Sequence, residues 1–242
     1  MATKGAQSSI LVDEFDFSGV TSGWDLEITV GEGDATVINS TGMDYDPLLT
    51  QMTLRQNGYV TTVGAAATLE EELYDRLGTG TAIVAAELDR DVTGSPVYVL
   101  PNAASSNMTF SAPAANLMTL TGTWGFTDAG NRGLRVARAT ITATGNQTAV
   151  DFGAGGSAGG VGYLFVQSIT GSASNASFKL QSSTTSGGTY GDLGTFTVSA
   201  VGAYRITFSG TVNRWIRLNT TALGGATGFV VVAVACVNGI TQ

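Results

Sequence analysis

The sequence predicts a mainly β protein, α+β in its first part and all-β in its last. Apolar and polar residues alternate with period two along much of the chain. The clearest case is "WDLEITV", where Trp24, Leu26, Ile28 and Val30 take one side and Asp25, Glu27 and Thr29 the other. The 33 glycines, with abundant Ser and Thr, interrupt the alternation at short intervals, as expected of many short strands joined by turns. Apolar residues make up 43% of the chain and charged residues only 12%, the reverse of the balance that keeps a chain disordered.

In chain order, the first strands fall in "ILVDEFDFSGVTSGWDLEITV" (10–30), where Asp13, Glu14, Asp16, Asp25 and Glu27 are interleaved with strand formers. Alternation places carboxylates on a face opposite the apolar one, so they need no burial. A turn-rich stretch over 31–50 reads as a long connection. A further alternating strand then passes through Met52 and Leu54 to a hairpin signal at Asn57-Gly58.

One helix is predicted near 68–78, "TLEEELYDRLG". Thr68 and Glu71 have capping-box spacing, acidic residues fill the first turn, and Gly78 supplies a stop. Leu69, Leu73 and Leu77 form one apolar stripe suited to lying on a sheet. Strands follow in "TAIVAAEL" (81–88), "SPVYVL" (95–100) and "NLMTLTGTWGF" (116–126), and "NRGLRVARATITATG" then carries Arg132, Arg135 and Arg138. The run "FGAGGSAGGVG" (152–162) reads as a flexible boundary, and five or six further strands are predicted from 161 onward. This divides the chain into a β domain with the helix over 1–147 and a C-terminal β-sandwich over 148–242.

The residue types restrict the chemistry. Without histidine, Ser-His triads and most zinc sites are excluded. Lys4 and Lys179, the only lysines, lie outside any phosphate-loop context, and the glycine run lacks dinucleotide-binding spacing. Cys236 lies in an apolar strand and reads as core. Asp44 and Asp46 in "DYDP" lack the ligand density of a calcium loop. Tyr163, Tyr190, Tyr204 and Trp215 could form a sugar platform, but they fall on different strands. No enzyme, cofactor or metal is expected.

Charge is unevenly spread. Residues 1–128 hold 17 acidic and 4 basic residues, and residues 129–242 hold 2 acidic and 7 basic. Two domains with different surfaces would give such a split, and so would copies that attract head to tail. The N-terminus lacks the apolar stretch of a signal peptide, and the longest apolar run, 228–237, is too short for a membrane-spanning helix. With a single cysteine, synthesis in a reducing cytoplasm and no membrane association are expected.

The segment "ILVDEFDFSGVTSGWDLEI" resembles the opening of the major tail (tail-tube) proteins of long-tailed bacteriophages, where a DE(F/Y)DFSG segment runs into an alternating strand. The later order is also similar: the Asn-Gly strand, the Leu-rich helix, a strand ending in "PVYVLP", then "NRGLRVARATITATG" and "FKLQSSTTSGGTYGDLGTFT". The likeness covers Ile10 to Val237. It implies a tail-tube-like β-barrel or sandwich with one flanking helix. It also implies a virion protein that forms hexameric rings with itself, stacked with other tail proteins into a tube through which DNA passes without specific binding. On this resemblance Asp13, Asp25 and Glu27 are the expected lumen-facing acids, with Asp16 and Glu14 depending on strand register. Met43, Tyr45, Pro47 and Leu48 are expected in a loop that reaches an adjacent subunit. Two other readings stand beside it: another virion component, such as a minor tail, neck or capsid decoration protein, and a carbohydrate-binding module.

Overall fold

Among the described residues strand accounts for 62% and helix for 6%, arranged as two sheets with one α-helix. The computed structural model describes residues 7–34, 45–60, 68–114, 116–126 and 130–239. Two compact units divide the chain: residues 1–18, 85–99 and 132–242 form the first, and 19–84 with 100–131 the second. The expected division at 147/148 is not where they part. Strand β8 (Asn131–Ile141) pairs along its length with β16 (Gly228–Val237), from Phe229 opposite Ile141 to Ala235 opposite Leu134.

The first unit is a sandwich. Its larger sheet has the order β14–β11–β16–β8–β6–β5–β1–β2. The members not yet located are β1 (Ser9–Val12), β2 (Phe15–Asp16), β5 (Ala82–Glu87), β6 (Pro96–Ser111), β11 (Gly160–Thr170) and β14 (Gly202–Phe208). The smaller sheet runs β10–β15–β12–β13, with β9 also paired to β15. These strands are β9 (Gly145–Asn146), β10 (Val150–Asp151), β12 (Ala176–Ser183), β13 (Gly191–Val198) and β15 (Trp215–Ala222). Alternation on β12 and β15 sends Phe178, Leu180, Ile216 and Leu218 inward, where they meet Leu164, Val231 and Ala233 from the larger sheet. Phe178 and Phe229 join the two sheets edge to face, ring centres 5.1 Å apart at 82°. Removing either ring would cost about 3–5 kcal/mol.

The glycine run is not a hinge. Gly156 and Val212 exchange backbone hydrogen bonds at 2.9 and 2.8 Å. Gly160 lies against the Cys236 carbonyl so closely that any Cβ would collide. Glycine is required here because backbones meet, a cause that composition cannot distinguish from flexibility.

The second unit is built on β3 (Thr21–Asp34), β4 (Tyr45–Tyr59), β7 (Thr119–Phe126) and the later part of β6, in the order β3–β4–β7–β6. Two predictions change here. The 31–50 segment is not a loop throughout, because β3 and β4 remain paired as far as Glu32–Pro47 and Asp34–Tyr45. Asn57-Gly58 is not a turn, because both residues lie inside β4, with Thr121 and Leu120 opposite them. Gly58 is needed instead for helix contact: a Cβ there would stand 2.8 Å from the Leu69 side chain and 2.9 Å from the Val20 carbonyl.

Helix α1 (Leu69–Asp75) has the predicted cap, with Thr68 Oγ1 accepting from the Glu71 amide at 3.2 Å and Glu71 Oε2 from the Thr68 amide at 3.0 Å. Leu69 and Leu73 are buried over Gly58 and Gly122, whereas Leu77 is 48% exposed. The helix ends early because the next residues serve the sheet. Arg76 and Gly78 hydrogen-bond the backbone of Ser105, and Leu77 bridges to it.

Candidate functional site

Directly opposed residues of antiparallel strands share a face, so the register of the second unit sorts its side chains. One face carries the rows Leu26–Leu54–Trp124 and Trp24–Gln56–Gly122. Leu54 and Trp124 are fully buried. So is Gln56, whose amide donates to Thr21 Oγ1 at 2.7 Å and accepts from the Trp124 indole at 3.1 Å. Satisfying both ends of that amide makes its burial tolerable.

The opposite face is mainly polar, with Tyr59 also on it, across from Thr119. Asp25 stands across from Arg55, which stands across from Thr123, and Asn107 on β6 completes the row. Glu27 faces Thr53, and Asn57 faces Thr121 and then Thr109. Asp25, Glu27 and Arg55 are exposed. Thr121 donates to Asn57 Oδ1 at 2.8 Å. The surface therefore presents hydroxyls and amides, with two carboxylates and one guanidinium.

The expected acidic set is divided. Asp25 and Glu27 share this face, but Asp13 belongs to the other unit, in the turn between β1 and β2, with φ at 48°. Glu14 occupies the same turn. Asp16 is engaged by Arg138 at 2.9 Å. Of the expected intersubunit residues, Met43 lies outside the described residues, and Tyr45, Pro47 and Leu48 open strand β4.

The structure also holds an ionic cluster that motif reading misses. Glu87 is fully buried on β5, and Arg135 is 2% exposed on β8. Glu87 Oε1 accepts from Arg135 at 2.5 Å, and Oε2 accepts from Ser9 at 2.7 Å and Arg138 at 2.8 Å. Arginines three apart on a regular strand would face opposite ways. The register skips Val136, between Arg135 opposite Val234 and Ala137 opposite Ala233, and this bulge puts both guanidiniums on one side. Burial alone would raise the Asp16 carboxyl, but hydrogen bonds from Ser18 and Arg138 outweigh it and hold the group below its usual value. The hint in the sequence was the pair of arginines within the otherwise apolar "GLRVARATI".

The aromatic platform does not form as a foursome. Tyr163 is fully buried in β11, and Tyr204 on β14 donates its hydroxyl to the Ala200 carbonyl at 2.8 Å. Tyr190 and Trp215 remain half-exposed at the smaller sheet. Cys236 is buried, and that burial pushes its thiol up to about 12. Among the described residues no group of three or more acidic, histidine or cysteine side chains could hold a metal, and no helix is long and apolar enough to cross a membrane.

No known protein family matches the sequence, and no curated protein does. Thirteen chains among solved structures share similarity. One comes from the virion of a native gene transfer agent particle, with 10% identity and a TM-score of 0.40 over 54% of this chain and 98% of that one. Another comes from the baseplate of the anti-feeding prophage, with 14% identity and a TM-score of 0.36 over 52% and 89%. A third is the SPP1 Dit protein, described as a hub adsorption apparatus protein of phages infecting Gram-positive hosts, with 11% identity and a TM-score of 0.37 over 94% and 98%.

Proposed function

We propose that this chain is a non-enzymatic structural subunit of a phage tail, assembling with copies of itself into hexameric rings that stack into a tube for genome passage. The observation that carries this reading is the set of strands β3–β4–β7–β6, which has one polar face and, among the described residues, two edges without strand partners, one along β3 and one along the later part of β6. Among the described residues β3 pairs only with β4. Beyond Ser105, where Arg76 and Gly78 bond its backbone, the later part of β6 pairs with β7 as far as Ser111, and no other strand is seen beside it among the described residues. An edge row of unpaired N–H and C=O groups is a template for another chain. Copies placed side by side can join β3 to β6 and continue the sheet around a ring.

Charge supports the same reading. The unit containing this sheet carries 11 acidic and 2 basic residues, and the other carries 8 and 9. A basic wall would hold DNA at every neutralised phosphate, whereas an acidic or neutral one lets the polymer slide. The β3–β4 hairpin adds a second contact. Its strands are 14 and 15 residues long, and β7 pairs with β4 only from Leu54 to Tyr59. A two-stranded ribbon of this kind is marginal alone and gains from a neighbouring subunit. Tyr45, Pro47 and Leu48 lie on it, and with Met43 they form the proposed inter-ring contact.

Negative-stain electron microscopy of concentrated protein tests the proposal. Rings or hollow tubes are the expected result. A protein that remains monomeric at every concentration and salt condition, or that gives solid fibres, would rule it out.

A further inference from the structure

We propose that Asn238 is a site of spontaneous deamidation, and that the fold protects Asn57 from the same reaction. Each of these asparagines precedes a glycine, and the sequence holds no other Asn-Gly pair. In such a pair the glycine amide nitrogen can attack the asparagine Cγ, because no side chain on the glycine crowds the approach. A bond forms between that nitrogen and Cγ as the Cγ–Nδ2 bond breaks. The glycine amide proton passes to hydroxide, and the departing nitrogen takes a proton from water and leaves as ammonia. Water then opens the cyclic imide at either carbonyl, giving aspartate or isoaspartate. Nothing is oxidised or reduced, and water is the only co-reactant.

The two pairs sit in opposite surroundings. Asn57 and Gly58 lie within β4, with strands on both sides: Asn57 faces Gly23 and Thr121, and Gly58 faces Thr21 and Leu120. Thr121 also holds the Asn57 side chain, donating to Oδ1 at 2.8 Å. Ring closure needs the Gly58 nitrogen to swing toward Cγ, which would break the ladders. The Leu69 side chain and the Val20 carbonyl close the space around Gly58 as well. Asn238 and Gly239 instead follow Val237, the last residue of β16, and both are exposed. Gly239 has φ at 76°, and a Cβ placed on it would meet nothing within 4 Å. Among the described residues no group accepts a hydrogen bond from its amide. That nitrogen can therefore move onto Cγ without breaking a bond.

Deamidation here would undo a tether. The Asn238 amide N–H donates to the Gly159 carbonyl at 2.9 Å, and Nδ2 donates to the Ala158 carbonyl at 3.2 Å. Asn238 thus holds the glycine run against the end of β16. An aspartate has only acceptors at neutral pH, so its carboxylate would face the Ala158 carbonyl with no proton between them. Isoaspartate also inserts a methylene into the main chain, which displaces the amide that reaches Gly159. Either product adds a negative charge to a unit that carries 8 acidic and 9 basic residues, leaving it without net charge.

The test ages the purified full chain at mildly alkaline pH, folded and in urea, and follows tryptic peptides by tandem mass spectrometry. Cleavage after Arg55, Arg76 and Arg217 places Asn57 in peptide 56–76 and Asn238 in peptide 218–242. In the folded protein acid should appear at residue 238 roughly tenfold faster than at residue 57, or more. In urea the two rates should converge. Equal rates in the folded protein, faster conversion at Asn57, or an Asn238 that converts only in urea would overturn the proposal. Asn238→Asp tests the tether directly. The Gly156 and Gly159 amides, bonded to Val212 and Gly210, should exchange hydrogen faster than in wild type. Exchange equal to wild type would show that Asn238 does not hold the run. None of these readouts depends on ring assembly.

Discussion

Glu87 illustrates how single residues hold the first unit together. Its carboxylate receives three hydrogen bonds from Ser9, Arg135 and Arg138, linking β1, β5 and β8 at a point with no solvent access. Glu87→Ala leaves Arg135 buried without its counter-charge, a loss of about 3–5 kcal/mol that urea unfolding should report. Asp16 adds a pH term. Its carboxyl titrates below the ordinary value when folded, so the stabilisation is complete above the unfolded value of 3.8 and is lost as pH falls through the folded one. Asp16→Asn should therefore lower stability at neutral pH and flatten its fall below pH 4 relative to wild type. Cys236 behaves oppositely: with its thiol pushed up to about 12, it should resist an aromatic disulfide reagent at pH 8 until denaturant is added.

At the level of elements, much was legible and the failures share a cause. The capping box at Thr68 and Glu71 is a local signal, and it folds as read. Six strands after Gly160 follow from alternation and turn residues alone. Asn57-Gly58 and the 152–162 run were misjudged because glycine there answers to distant partners, Leu69 in one case and Val212 and Cys236 in the other. The second half of β6 went unseen because Ala103 to Asn107 has weak strand propensity and depends on pairing with β7. These readings can be tested by unfolding. Thr68→Ala should cost about 1 kcal/mol through the lost cap. Gly58→Ala should cost about 1–3 kcal/mol, since the Val20 carbonyl cannot yield as a side chain can. A Gly58→Ala variant as stable as wild type would mean the helix does not press on that strand.

For the whole molecule, the decisive question is what the polar face of β3–β4–β7–β6 looks onto. Its existence was legible from "WDLEITV", and its membership was not, because Arg55, Thr123 and Asn107 join Asp25 only through pairing register. Asp13 and Asp16 share the sequence neighbourhood of Asp25 but serve the other unit. Ring symmetry would repeat Asp25 and Glu27 around a bore, turning two modest charges per copy into a negative wall. The competing arrangement has the same face looking outward, where isolated acids cost nothing and do little. Asp25→Lys with Glu27→Lys separates the two. Both residues are exposed and neither supports the buried face, so the double variant should fold, with a small loss of stability from setting a second cation across from Arg55. In a bore, it converts each copy's contribution from two negative charges to two positive ones, and tubes should then retain duplex DNA at low salt. Release should steepen with salt in proportion to the phosphates neutralised. Phage carrying the variant should attach normally and eject slowly. On an outward face, DNA retention and ejection should match wild type. Tubes that assemble with the lysine pair and still pass DNA at the wild-type rate would show that this face does not line the channel.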